Sequence, residues 1–97
     1  MSEPAARPPV VHDLKSEPLP FNATRNGFKT VELRKADRDF RVNDTLRLRE
    51  YYSGCARYSG RMVEVTVSHV QTGFGLKDGY VALSCKELWI PTGGYLH

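Results

Sequence analysis

No apolar stretch in this chain approaches the run of about 18 residues that a membrane-crossing helix needs, so no membrane partner is expected. The N-terminus lacks the basic-then-apolar order of a secretory signal, which points to a cytoplasmic protein. Cysteine is scarce: Cys55 and Cys85 stand alone, with no CxxC or other metal spacing. That excludes a zinc ribbon or a disulfide scaffold, and leaves two free thiols, no metal and no cofactor as the expectation. Strong charge of one sign is missing too. A net charge of +3 permits nucleic-acid binding without demanding it. The most charged run, residues 34–41, is not polybasic, because Asp37 and Asp39 nearly cancel its basic residues.

What is present suits one small domain. At 97 residues and 40% apolar composition, the chain can bury a core without staples, and a monomer is expected. Residues 1–9, with Pro4, Pro8 and Pro9, read as a flexible arm. Residues 10–15 form a short apolar-led strand. Residues 17–26 turn into a short helix, with Pro18 and Pro20 at its first turn, Phe21 as its anchor and Gly27 as its stop. The stretch 27–35 follows as a central strand. Its alternation sets Val31 and Leu33 toward the core and Thr30, Glu32 and Arg34 outward.

Asn43-Asp44 is a turn signal closing the charged connection. In residues 45–51, Leu46 and Leu48 point inward, and Arg47, Arg49 and Tyr51 outward. The β-branched run 61–70 is the clearest strand, with Val63, Val65 and Val67 on one face. Residues 53–60 and 72–79 are loops, 80–85 a last strand, and 86–97 a tail with no assigned structure. Five such strands (residues 10–85) and one short helix near the N-terminus predict a mainly β, α+β domain that rolls into a small partly open barrel, with a two-layer sheet carrying the helix on one face as the alternative.

An ordered set of motifs narrows this further. His12-x-Leu14-Lys15 is followed by Gly27-x-Lys29-x-x-Glu32-x-Arg34, Asp37-Arg38-x-Phe40 and Leu46-x-Leu48-Arg49-Glu50-Tyr51. Tyr58-Ser59-Gly60-Arg61 and Gly75-Leu76-Lys77-x-Gly79-Tyr80-Val81 complete it. From His12 to Leu83 the chain resembles a family of short bacterial and phage domains of unassigned function. That family is similar to the ASCH (activating signal cointegrator homology) domains of the PUA-like superfamily. The resemblance implies a PUA-like pseudo-barrel with a cleft beside the helix and the central strand, in a superfamily whose members bind RNA and sometimes modified bases. One ASCH branch consists of amidohydrolases of acylated cytidine with a proposed Lys, Thr and Glu triad. Here Lys29 matches the lysine, Glu32 stands at the threonine position, and the segment of the third residue is shortened between Val70 and Gly79.

Two function classes follow. In an RNA- or nucleotide-binding module, Lys29 and Arg34 meet charge, Glu32 accepts from a base edge, and Tyr51 or Phe74 stacks. His12, Lys15, Arg38, Arg47 and Arg49 extend that candidate surface. In a small hydrolase, Glu32 is a general base and Lys29 stabilises an oxyanion. Each residue also has a structural reading. If the central strand pairs with residues 45–51, Glu32 and Arg34 become part of a cross-strand ion-pair ladder with Arg47 or Arg49. His12 and His69 can cap strand ends, and Phe74 can plug the barrel.

Overall fold

The computed structural model describes residues 7–91. Its elements are β1 (Val11–Ser16), α1 (Pro18–Arg25), β2 (Val31–Lys35), β3 (Thr45–Tyr52), β4 (Arg57–Gln71) and β5 (Tyr80–Trp89). They form one five-stranded sheet in the order β1-β3-β4-β5-β2, curled into a half-barrel. The β1–β3 pair is parallel and the other pairs antiparallel. This is the small, barrel-like, mainly β fold with one early helix that the patterning predicts. Among the described residues no helix is long and apolar enough to cross a membrane.

The core follows from alternation. Leu46 and Leu48 of β3 and Val63, Val65 and Val67 of β4 are buried on the concave face, facing Leu83 of β5. The helix closes one end by inserting Phe21, which is fully buried. Pro18 and Pro20 are tolerated because first-turn N–H groups have no helical partner to lose. Gly27, at φ 80°, reverses the chain after the Asn26 cap. The next two amides, of Phe28 and Lys29, both donate to the Ala23 carbonyl, at 2.9 and 3.0 Å. Strand geometry therefore starts only at Val31, and Lys29 is released from the alternation that would have turned it inward with Val31.

Several expectations are corrected. The central strand does not pair with β3, whose two edges are taken by β1 and β4; β2 pairs with β5 at the far side of the sheet. No ladder of Glu32 with Arg47 or Arg49 forms; Arg47 bonds Glu64 of β4 at 2.9 Å instead. The facing of β2 is also reversed. Glu32 is buried at 5% exposure, while Val31 and Leu33 are 40% and 62% exposed. An outer strand has a neighbour on one side only, so its apolar residues can face a groove while its acid turns in toward cations. β4 starts at Arg57 rather than Arg61, because Tyr58 and Arg57 pair with Tyr51 and Tyr52 and leave a hairpin loop of residues 53–56. β5 runs on to Trp89, into the stretch given no structure from sequence. His69 is exposed, since a register shift after Val67 breaks the parity they would share. Residues 1–6 and 92–97, parts of the expected arm and tail, lie outside the described residues.

Two buried acids organise the strand ends. The Asp44 side chain is fully buried just before β3. It accepts from Arg7 at 2.8 Å on each oxygen, from the backbone N–H groups of Val10 (3.2 Å) and Arg41 (2.9 Å), and it meets His12 Nε2 at 2.8 Å. Arg7, expected in the flexible arm, is thus held. Burial alone would raise the Asp44 carboxyl; the bonds from Arg7, His12 and the two amides outweigh it and hold the group well below the usual carboxylate range. At the other end of β3, Glu50 takes Arg61 on both oxygens at 3.0 and 3.1 Å, and Arg61 also reaches Asn22 of α1 at 2.6 Å.

A depressed folded-state pKa contributes stability above the ordinary carboxylate value that is lost as pH falls through the folded value. The melting temperature should therefore drop steeply from about pH 5 to pH 2, and Asp44→Asn should flatten that slope. At neutral pH, Asp44→Ala should cost about 3 kcal/mol in denaturant unfolding, because it strands buried donors. A variant as stable as the wild type at pH 7 would contradict this role.

Candidate functional site

The half-barrel does not close. β1 pairs only with β3 and β2 only with β5, so the two outer strands face each other across an open seam. A side chain bridges it: Arg34 Nη2 of β2 donates to the Lys15 carbonyl of β1 at 2.9 Å. The Nε of the same guanidinium donates to Glu32 Oε2 at 3.1 Å. The other oxygen of Glu32 is bound by the Lys29 ammonium, which also donates to the Val31 carbonyl at 2.6 Å. A buried carboxylate thus fixes two cations, and among the described residues each keeps at least one N–H without a partner: Arg34 its Nη1, Lys29 its third proton.

Around this cluster lies a cleft of about 350 Å³. Its charged wall is Lys15, Glu17, Lys29, Glu32 and Arg34; its apolar wall is Pro20, Val31 and Leu33. Because β2 is an outer strand, residues from both its faces reach the cleft. A second cleft of about 430 Å³ continues the seam past Lys15 and Arg34, which line both. It is bounded by Asp13, Lys35, Asp37, Arg38 and Tyr58. Both volumes fall in the range of small-molecule sites, about 300–1,000 Å³.

Lys15, Lys29, Glu32 and Arg34 are therefore brought together, and Arg38 lies next to them. The others are not. His12 is buried between Asp44 and the Phe40 ring (centroids 4.7 Å apart), where it belongs to the fold. Arg47 is spent on Glu64. Arg49 covers the Tyr58 ring at 3.9 Å, Tyr58 meets Tyr51 edge-on at 5.0 Å, and the Lys15 ammonium lies over Tyr51 at 4.6 Å. Tyr51 reaches the seam only through Lys15. Phe74 is 95% exposed and lines neither cleft, so it plugs nothing. Sequence reasoning missed Tyr58 and Lys35 as lining residues. Tyr58 fell in a stretch read as loop, and the β3–β4 hairpin alone places it.

The arrangement can hold a flat, partly apolar group against Pro20, Val31 and Leu33, with an acceptor and two donors at its edge. It is less suited to general-base chemistry, because both oxygens of Glu32 are already engaged by cations. Cys85 of β5 reports on this cluster. Burial pushes its thiol up to about 11, the Glu32 charge adds to the rise, and Lys29 opposes it. In a Cys55→Ser background, Glu32→Gln should lower the midpoint of the pH profile for Cys85 alkylation, and Lys29→Ala should raise it. Midpoints unmoved in both variants would show that the cluster is not assembled beside the thiol in solution.

Comparison with known proteins follows the same boundaries. Residues 11–85, from the start of β1 into β5, match the family described as "Domain of unknown function (DUF3850)". The chain is also similar to the "Uncharacterized 12.9 kDa protein in GpA 3'region" of Escherichia phage P2, at 33% identity over 73 residues. That match covers 75% of this chain and 65% of the phage protein. The matched residues include the whole β1–α1–β2 seam, and on this extent of agreement the chain belongs to the DUF3850 family.

Proposed function

We propose that this domain is an RNA- or nucleotide-binding module, of ASCH-like and PUA-like kinship, that takes its ligand in the seam between β1 and β2. The observation that carries the proposal is the convergence of Lys29, Glu32 and Arg34 on a cleft whose remaining wall is apolar. Apolar walls with a few fixed polar groups are how proteins orient a base. The ordered motifs that resemble ASCH domains support the kinship, and they run through this seam. Hydrolysis of an acylated nucleoside is the weaker reading, since Glu32 is held by two cations and stands where the amidohydrolases have threonine.

Binding should weaken as salt rises, with a slope of about −0.7 per phosphate contact on single strands. Two to four contacts are expected from the bases available, which gives affinities on the micromolar scale. Arg34→Ala should weaken binding about tenfold, since an ionised hydrogen bond contributes roughly 1.5 kcal/mol or more. Acylated nucleosides incubated with the protein should be recovered at unchanged mass. Turnover abolished by Glu32→Gln in a folded variant would make the domain a hydrolase, and retention of no RNA, DNA or nucleotide at low salt would remove the binding reading.

A further inference from the structure

We infer that the two clefts of the seam are consecutive subsites for one single strand of nucleic acid, with the internucleotide phosphate resting on the wall they share. The inference rests on the binding reading above and specifies its ligand: a dinucleotide step rather than a free mononucleotide. Three observations support it. The clefts share Lys15 and Arg34, so whatever leaves one enters the other past two cations. Those cations are available for an anion. Among the described residues the Lys15 ammonium lies over the Tyr51 ring with no ion-pair partner, and Arg34 spends Nε and Nη2 on Glu32 and the Lys15 carbonyl, which leaves Nη1. A phosphodiester offers two unesterified oxygens, one for each group.

The two subsites also differ as successive parts of a strand would need. The first has apolar walls and a buried carboxylate, suited to enclosing one base and accepting from its edge. The second is larger and more polar, with Lys35 and Arg38 free of ion-pair partners among the described residues. Tyr58, at 42% exposure, supplies it with an aromatic ring backed by the Arg49 guanidinium. A ring fixed by Arg49 and Tyr51 can stack a second base at little cost in side-chain freedom. A mononucleotide would leave one of the two sites empty.

The test compares three probe sets by calorimetric titration at low salt. They are nucleoside 5′-monophosphates, dinucleotides joined by one phosphodiester in ribo and deoxyribo form, and the same dinucleotides with an uncharged methylphosphonate link. The phosphodiester dinucleotides should bind about tenfold or more tighter than the monophosphates. The methylphosphonate link should remove most of that gain. Lys15→Ala and Tyr58→Ala should each narrow the ratio of dinucleotide to monophosphate affinity. Equal affinity for the first two sets, or no loss on neutralising the link, would overturn the two-subsite inference while leaving nucleotide binding in place. Binding of none of the probes would overturn both. A ratio unchanged in both variants would show that a second unit binds elsewhere.

Discussion

Among the described residues the Arg34 guanidinium bridges the seam between β1 and β2, and the character of the domain depends on it. In a closed barrel those strands would exchange backbone hydrogen bonds and leave no opening. Here Arg34 spans the gap from Glu32 to the Lys15 carbonyl. A side chain is longer than a backbone hydrogen bond, so the strands stand apart and a groove with polar and apolar walls remains. Glu32 is the fixed point. Its burial would be costly without both Lys29 and Arg34, and their positions would be loose without its carboxylate.

The rest of the fold keeps that seam in register. Asp44 ties Arg7, His12, Val10 and Arg41 together where β1 and β3 begin, and so sets the parallel pair that offers β1 as one lip. Glu50 and Arg61 tie the far end of β3 to Asn22 of α1. The helix then delivers its C-terminal turn, and with it Lys29, to the start of β2. Among the described residues each buried acid (Glu32, Asp44 and Glu50) acts through several fixed donors, which is the condition under which such burial is tolerated.

Much of this was legible from the sequence, and its failures have physical causes. Strand and helix locations followed from alternation, proline and glycine, and the cluster of Lys29, Glu32, Arg34 and Lys15 followed from their places around the helix exit. Alternation is blind to which face is inward, however, and Val31 and Leu33 were assigned to the core by default. On an outer strand beside a groove the assignment reverses. Glu50 was the opposite case: it shares the parity of Leu46 and Leu48, and its burial could have been read from that alone. Asp44 was recognised only as a turn residue, because its partners lie as far away as Arg7, which local pattern cannot show. His12 shares the buried parity of Leu14, opposite to Lys15, and so meets that same acid rather than the seam.

The most direct test of the account is a titration of isotopically labelled protein with a short single-stranded oligonucleotide, followed by backbone amide chemical shifts. Shifts concentrated at Lys15, Ser16, Glu17 and residues 29–38, with the outer face around Arg47 and Glu64 unmoved, are the predicted result. Shifts confined to that outer face or to the loop carrying Phe74, or no shifts at all, would contradict the claim that the seam is where this domain binds.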